Sequence, residues 1–442
     1  MSDVTFTVNP GGSLKGDFRV PGDKSISHRS IMLGAIAEGV THVSGFLEGD
    51  DSLATLQAFR DMGVKIDRPD AGQVTIHGVG LHGLNTSGVP IDLGNSGTAM
   101  RLMTGLLSGQ SFDSLLIGDS SLSTRPMKRV TNPLSKMGAV IESNEQGTPP
   151  LKIKGAQSLS GIHYDMPVAS AQVKSSLILA GLYASGQTVV TEPAPTRDHT
   201  ERMLRGFGVP IETDGNKITL NEGAKLVAAD IDVPSDISSA TFFMVGAAIS
   251  PGSDVTLRHV GINPTRIGVI NILRLMGADM SIENEQEVGG EPVADIVIRG
   301  SKLKGIAIPE DQVALAIDEF PALFIAATCA EGETVLTGAE ELRVKESDRI
   351  QVMADGMAIL GIDAKPTRDG MVIQGRGEHQ GALYDGGAVD SHGDHRIAMS
   401  FAMAALRASA PITIKNCANV ATSFPNFIEL AKSSGLNIEV NS

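Results

Sequence analysis

One pattern recurs six times along the 442-residue chain: a helix-like segment, then a glycine, then a short strand-like run. The six glycines are Gly63, Gly138, Gly208, Gly277, Gly361 and Gly435. Their spacings are 75, 70, 69, 84 and 74 residues. A glycine directly after a helix is typical of a left-handed cap that turns the chain into the next element. We therefore predict left-handed backbone at these positions.

A second pattern alternates with the first: helices made of small apolar residues, such as SIMLGAIAEG and AMRLMTGLLSG. Helices that are apolar on nearly every face are buried all round, whereas the first set is amphipathic and faces solvent. The two patterns predict an α/β chain of six units of about 70 residues, which is too long for a solenoid repeat. By length the chain forms about two to three domains. Pro21–Gly22 and Val233–Ser235 precede the first and fourth units and are the candidate hinges.

Composition narrows the class of protein. No apolar run approaches the roughly 20 residues of a membrane span, and the N-terminus has no signal or transit pattern, so we expect a cytoplasmic location. Cys329 and Cys417 lie among apolar neighbours, which favours buried thiols over a disulfide framework. No metal-ligand spacing occurs. A net charge of −15 argues against a nucleic-acid partner, and any site for a small anion must be locally basic.

Cations collect where helices begin. Ser, Thr and Asp at these places are usually N-caps, but a cation there opposes the helix dipole. The cations are Lys24, Arg29, Arg101, Arg125, Arg197, Arg266, Lys345, Arg349 and Arg396. A bound anion stabilises both the cation and the positive end of the helix dipole, because helix N-termini bind anions. The pattern predicts a polyanion site ringed by helix N-termini.

The stretch GDKSISHRS is not a nucleotide-binding loop. A P-loop needs Gly, four residues, then Gly-Lys-Ser/Thr, and here Asp23 stands before Lys24. The negative charge of a carboxylate at that point would repel a bound triphosphate. His28 and His395 have two open interpretations, hydrogen-bonded histidines or catalytic ones, and the first is commoner.

Two acidic sites stand apart from the cations. Glu346 lies between Lys345 and Arg349, and Asp318 stands beside Glu319 before a proline and a buried helix. Glu346 is either half of a weak surface ion pair or a proton-transfer group among cations.

Six motifs together resemble the 5-enolpyruvylshikimate-3-phosphate synthase family of enolpyruvyl transferases. They are PGDKSISHR, GNSGTAMR, ASAQVKSS, LRVKESDR, DHRIAMSF and ATSFPNF. The resemblance covers about residues 10 to 430. It implies a two-lobed inverted α/β barrel of six pseudo-repeated βαβαββ units, with helix N-termini facing the cleft between the lobes. The implied lobes are 22–233 and 1–21 plus 234–442.

The resemblance also implies transfer of the enolpyruvyl group of phosphoenolpyruvate to the 5-hydroxyl of shikimate 3-phosphate, in the shikimate pathway. No cofactor is implied, and the family is commonly monomeric. The implied catalytic residues are Asp318, Glu346 and Lys24. The implied shikimate 3-phosphate ligands are Lys24, Ser25, Arg29, Ser170, Ala171, Gln172, Arg197, Asp318 and Lys345. The implied phosphoenolpyruvate ligands are Lys24, Gly97, Arg125, Gln172, Arg349 and Arg396.

The sequence departs from the better-known branch of that family at two places. Ala171 replaces a serine, which leaves only a backbone contact, and Thr422 replaces a phosphate-binding lysine. Val173, Lys174 and ATSFP resemble the second branch, which often has alanine in place of Gly97. Because Gly97 leaves space for the longer inhibitor glyphosate, we predict a sensitive enzyme.

Two other functions stay open at this point. An enolpyruvyl transferase acting on UDP-N-acetylglucosamine shares the fold but usually has a cysteine on a mobile cleft loop, unlike the settings of Cys329 and Cys417. A non-catalytic anion-binding protein explains the cations but not the pair Glu346 and Asp318.

Overall fold

The computed structural model describes residues 4–377 and 381–441. Two sets of helices alternate in the described chain, and one single-turn helix, α9 (Glu310–Val313), lies outside both sets. The buried set is α1 (Lys24–Ile36), α3 (Gly97–Ser108), α5 (Ala171–Gly181), α7 (Ile237–Ile249), α10 (Phe320–Cys329) and α12 (His395–Ala404). The partly exposed set is α2 (Asp50–Asp61), α4 (Lys128–Lys136), α6 (His199–Gly206), α8 (Gly268–Leu275), α11 (Arg349–Ile359) and α13 (Phe427–Ser434). Both predicted helix patterns are confirmed.

The six pattern glycines end the helices of the partly exposed set. All have positive φ, from 75° at Gly361 to 116° at Gly435. Residues that carry a side chain rarely adopt this backbone conformation, so the turn after each helix favours glycine. The predicted left-handed caps are confirmed.

The strands form six sheets in the described chain, and within each sheet neighbouring strands are hydrogen-bonded. The first three sheets are, in spatial order, β14 (Ile231–Asp232), β3 (Glu38–Ser44), β5 (Val74–Val79) and β4 (Lys65–Asp67); β6 (Ile91–Asp92), β7 (Ser114–Ile117), β9 (Leu151–Ile153) and β8 (Ile141–Glu142); and β10 (His163–Asp165), β11 (Thr188–Thr191), β13 (Lys217–Leu220) and β12 (Ile211–Asp214). The others are β16 (Asp279–Val288), β17 (Glu291–Arg299), β15 (Asp254–Gly261) and β2 (Lys15–Phe18); β18 (Glu331–Leu336), β20 (Met371–Arg376) and β19 (Ala364–Pro366); and β21 (Gly387–Asp390), β22 (Ile412–Lys415), β1 (Thr5–Val8) and β23 (Ile438–Asn441).

The sheet of β10 to β13 shows the common topology. The strand β10 pairs parallel with β11, with Tyr164 opposite Val190, and α5 connects the two strands. After α6, the hairpin of β12 and β13 returns antiparallel, with Ile218 opposite Val190. This chain order is βαβαββ. The mixed α/β class predicted from the sequence is confirmed.

Some sheets take a strand from a distant part of the chain. The strand β14 pairs parallel with β3, Ile231 opposite Val43. The strand β2 pairs parallel with β15, Lys15 opposite Asp254, and β1 lies between β22 and β23. In the β18 sheet, Ala307 forms an isolated parallel bridge to Val335.

The described chain divides into two compact units. Unit 1 comprises Met1–Pro21, Pro234–Glu287 and Pro292–Ser442, and unit 2 comprises Gly22–Val233 and Val288–Glu291. Within unit 2, Glu291 pairs with His199 at 2.8 Å. The lobe bounds expected from the resemblance stay a prediction.

Each unit has its own apolar core. In unit 1 the core is formed around α7, α10 and α12, with Phe243 edge-on to Phe18 at 5.1 Å between ring centroids. In unit 2 the helices α3 and α5 approach so closely that a Cβ at Gly105 would lie 2.0 Å from the backbone oxygen of Ser176. This contact excludes any side chain at Gly105. Among the described residues, no helix combines the length and the apolar character that a membrane crossing needs.

Candidate active site

The N-terminus of α1 in unit 2 carries the first cations. The Asp23 side chain caps the helix by accepting a hydrogen bond from the Ile26 amide at 2.9 Å. Lys24, the first helical residue, pairs with Asp51 in the first turn of α2. The Lys24 side chain is 22% exposed, so its ammonium group combines a fixed partner with access from solvent.

Arg29 is a buried cation that links three helices. Its Nε donates to Thr200 Oγ1 at 2.7 Å, its Nη2 to Ser175 Oγ at 2.9 Å, and its Nη1 to the Ser25 carbonyl at 2.9 Å. Burial lowers the pKa of Arg29 to about 10, against the opposing effect of the Glu201 charge. The guanidinium is therefore charged at neutral pH and held in one position between α1, α5 and α6.

Arginine tips converge beside Gly97 at the start of α3. Ser96 caps this helix through the Ala99 amide at 3.1 Å. A Cβ added at Gly97 would lie 2.9 Å from Arg101 Nη1 and 3.1 Å from Arg125 Nη1. Arg125 Nη2 donates to Asn95 Oδ1 at 2.7 Å. The absence of a side chain at Gly97 lets both guanidinium groups lie close to the backbone at the helix start.

The start of α5 joins the same group. Gln172 Oε1 accepts from Arg101 Nη1 at 2.7 Å, and Gln172 Nε2 donates to Thr98 Oγ1 at 3.0 Å. Ser170 caps α5 by accepting from the Val173 amide at 3.4 Å. Its neighbour Ala171 is half-buried as the first residue of the helix.

Arg197 lies in the loop between β11 and α6 and is half-buried. Its charge lowers the pKa of Arg29, because the two guanidinium groups are close enough to repel. Two cations that repel each other are stabilised by an anion bound to both.

His28 is a structural histidine rather than a titrating one. Its Nδ1 is 2.8 Å from Thr55 Oγ1 and its Nε2 is 3.4 Å from Ser96 Oγ. Burial, together with the charges of Lys24 and Arg29, lowers the pKa of His28 well below its usual value. The ring is therefore neutral at physiological pH.

Unit 1 contains a second cluster, centred on Arg349, the first residue of α11. This side chain is 1% exposed. Its Nη2 is 2.6 Å from Glu346 Oε2, its Nη1 3.2 Å from Asp318 Oδ1 and its Nε 2.8 Å from Asp394 Oδ2. Burial lowers the pKa of Arg349, but the charges of Asp394, Glu346 and Asp318 raise it further, so the net shift is upward. The pair of Glu346 and Arg349 is thus not the surface ion pair that the sequence left open.

Asp318 is held by further cations. Lys345 Nζ is 3.4 Å from Asp318 Oδ1, and Arg396 Nη1 donates to the Asp318 carbonyl at 3.0 Å. The side chains of Asp318 and Glu346 are 13% and 28% exposed. Two accessible carboxylates among three cations are an arrangement in which an acid and a base can act on one anionic ligand.

The predicted site residues lie in both units. Those in unit 2 are Lys24, Ser25, Arg29, Gly97, Arg125, Ser170, Ala171, Gln172 and Arg197. Those in unit 1 are Asp318, Lys345, Glu346, Arg349 and Arg396. Thr422 in unit 1 donates its hydroxyl to the Asn419 carbonyl at 2.7 Å.

Asp394 was not given a role by the sequence analysis. It is fully buried, accepts from the Arg396 amide at 2.9 Å and holds Arg349. In the sequence Asp394 stands only as an aspartate at the start of a helix, and helix capping alone explains an aspartate there. Cys329 and Cys417 are buried, as predicted, and burial raises the pKa of both thiols, that of Cys417 to about 12.

Comparisons with known proteins show the family to which the chain belongs. The family model described as EPSP synthase (3-phosphoshikimate 1-carboxyvinyltransferase) matches residues 8–430. The chain is 69% identical over 439 residues to the 3-phosphoshikimate 1-carboxyvinyltransferase of Methylococcus capsulatus, with 99% of each chain covered. It is 65% identical to that of Alkalilimnicola ehrlichii, covering 98% of this chain and 96% of the relative. The solved EPSP synthase from Acinetobacter baumannii matches with a TM-score of 0.91 and 65% identity, covering 99% of this chain and 100% of that one.

Proposed function

The chain belongs to the EPSP synthase (3-phosphoshikimate 1-carboxyvinyltransferase) family, and on that premise we propose which of its residues carry the reaction. The protein transfers the enolpyruvyl group of phosphoenolpyruvate to the 5-hydroxyl of shikimate 3-phosphate and releases phosphate. The family match favours this reaction over the two alternatives, transfer to UDP-N-acetylglucosamine and a purely binding role.

Unit 2 supplies most of the shikimate 3-phosphate ligands. Arg29 and Arg197 are the phosphate-binding pair, because their mutual repulsion is relieved by an anion. Ser25, Ser170 and the backbone of Ala171 complete this group at the helix starts. Its remaining proposed members are Lys24, Gln172, Asp318 and Lys345.

Phosphoenolpyruvate is bound by arginine forks, which match carboxylate and phosphate groups. The proposed ligands are Arg125, which lies beside Gly97, and Gln172. The others are Arg349 and Arg396. Lys24 contacts both substrates.

The reaction is an addition followed by an elimination. Asp318 takes the proton from the 5-hydroxyl, whose oxygen attacks C2 of phosphoenolpyruvate, while Glu346 in its protonated form gives a proton to C3. The resulting tetrahedral ketal then loses the C3 proton back to Glu346, and the C2–O bond to phosphate breaks as the departing phosphate takes the proton held by Asp318. Lys24 and the arginines stabilise the charge that develops on the bridging oxygen and on phosphate.

The observation that supports this assignment best is the arrangement around Arg349. One buried guanidinium holds both Glu346 and Asp318 by their carboxylate oxygens. Each carboxylate keeps a fixed orientation and remains accessible to a ligand. Acid and base must exchange roles on one substrate, and this arrangement keeps both in place for both steps.

Replacing Glu346 with Gln tests the assignment. We expect kcat to fall on the order of 100-fold or more, because a general acid–base group is lost, while the Kd for phosphoenolpyruvate in the presence of shikimate 3-phosphate changes little. The matched control is Glu340→Gln, an exposed glutamate on the preceding 3-10 helix Glu340–Val344. Phosphate release and calorimetric titration give the two readouts. Unchanged kcat in Glu346→Gln would show that another group moves the C3 proton.

A monomeric state and a cytoplasmic location complete the proposal. Light scattering coupled to size-exclusion chromatography gives the mass in solution for comparison with the 46.1 kDa chain. A mass of twice that value would overturn the monomer.

A further inference from the structure

A charged side chain, that of a lysine, is buried inside the helix α5. Lys174, in α5, is 1% exposed. Its Nζ is 3.0 Å from Glu192 Oε2 and 2.7 Å from Glu201 Oε1, and these two carboxylates are themselves buried. A buried ion cluster of this kind is weak evidence for stability alone, since apolar residues of similar volume are often as stabilising.

The two carboxylates bracket one loop. Glu192 directly follows β11, and Glu201 lies in the first turn of α6, so the segment between them, 193–200, includes Arg197. The Thr196 hydroxyl donates to Glu192 Oε1. Lys174 is thus connected through Glu192 to Thr196, the residue that immediately precedes Arg197.

The other carboxylate leads to Arg29. Thr200, the residue before Glu201, accepts from Arg29 Nε at 2.7 Å and lies 2.7 Å from Ser175 Oγ. Ser175 follows Lys174 in α5 and also accepts from Arg29. The neighbours of Glu201 and of Lys174 therefore fix the guanidinium of Arg29.

We propose that Lys174 is a positioning residue for shikimate 3-phosphate binding, which sets the separation of Arg29 and Arg197 by holding Glu192 and Glu201 at the two ends of the loop. This inference rests on the proposed binding of shikimate 3-phosphate by Arg29 and Arg197. Lys174 does not touch the substrate. Its removal leaves both arginines present but releases the loop that carries Arg197.

The test is a KM comparison on the full-length enzyme, with phosphate release as the assay. For Lys174→Met we expect KM for shikimate 3-phosphate to rise about tenfold, because sub-ångström to ångström displacement of a binding group has effects of that order or larger. KM for phosphoenolpyruvate, whose arginines lie elsewhere, is expected to change less than about twofold.

Because Lys174→Met can prevent folding, a second and milder variant tests the same proposal. Thr196→Val keeps the shape of the side chain and removes only the hydrogen bond to Glu192. We expect a rise of about threefold in KM for shikimate 3-phosphate alone, the effect of one lost hydrogen bond. The matched control is Arg407→Met, which removes a buried cation that donates to the Ile249 carbonyl at 2.6 Å in unit 1. It is expected to lower Tm and leave both KM values unchanged.

The outcomes separate the two levels of the proposal. Unchanged KM for shikimate 3-phosphate in Thr196→Val, or an equal rise of both KM values in Lys174→Met, would mean that the buried cluster serves stability only. Arg197→Gln tests the premise. If that variant leaves KM for shikimate 3-phosphate unchanged, the assignment of Arg197 is wrong; if it raises that KM while Thr196→Val does not, only the positioning role fails.

Discussion

Replacement of Arg349 by Met measures how much the unit 1 cluster depends on one cation. The side chain is 1% exposed and holds Asp394, which is fully buried, at 2.8 Å. Methionine keeps most of the volume but removes the charge, so Asp394 loses its cation while still buried. Removing one partner of a buried ion pair costs about 3–5 kcal/mol.

The expected change in melting temperature follows from that cost. For a domain of about 150–250 residues each kcal/mol shifts Tm by about 2–4 °C, so Tm is expected to fall by about 6–20 °C. Differential scanning calorimetry at pH 7.5 gives the value. Activity is expected to fall in parallel, because Glu346 and Asp318 lose the group that orients them.

Two further variants show whether the stranded carboxylate causes the loss. In Arg349→Met with Asp394→Asn the buried charge is gone, and we expect about 2 kcal/mol of stability to return. Arg258→Met is the control, because Arg258 also holds two carboxylates but is 41% exposed, so water screens these ion pairs and the loss of stability is expected to be much smaller. A fall in Tm below about 2 °C in Arg349→Met, or a further fall on adding Asp394→Asn, would refute the reasoning.

Two other outcomes are expected from unit 2. His28 has a folded pKa well below 6.5, so the unfolded chain binds its proton first and stability falls as pH drops below that value, by up to about 1.4 kcal/mol per pH unit. His28→Gln removes this contribution, and denaturant unfolding at pH 7.5 and 5.5 is expected to show a smaller pH dependence than wild type; equal dependence would contradict it. Gly97→Ala places a methyl 2.9 Å from Arg101 Nη1 and 3.1 Å from Arg125 Nη1. We expect KM for phosphoenolpyruvate to rise several-fold and the glyphosate inhibition constant to rise more. An unchanged inhibition constant would show that the methyl group does not reach the inhibitor site.

The repeating architecture could be predicted from the sequence because its signals are local. A glycine such as Gly63 or Gly435 must follow its helix closely, and an all-apolar helix such as α7 has no solvent face. The exchange of strands was not predictable from such signals. The strand β14 is only Ile231–Asp232, and nothing in two residues indicates that they pair with Val43 and Ser44.

The cations of the site were predictable for a different reason. Lys24, Arg349 and Arg396 lie in the first turn of their helices, where a cation opposes the helix dipole, so they stand out without any knowledge of their neighbours. Their carboxylate partners do not stand out. Asp394 and Asp51 lie where an acidic residue is favourable in any helix, and only the fold shows that they hold Arg349 and Lys24.

Lys174 is a residue whose position no local sequence pattern explains. A lysine costs several kcal/mol when buried without a partner, so its place in α5 already requires a nearby negative charge. The sequence offers many acidic residues and cannot say which. The fold selects Glu192 and Glu201, which are 9 residues apart in sequence and bracket the loop of Arg197. A buried charge inside a helix thus predicts that some remote segment is held there, and the identity of that segment indicates whether the charge serves stability or the site.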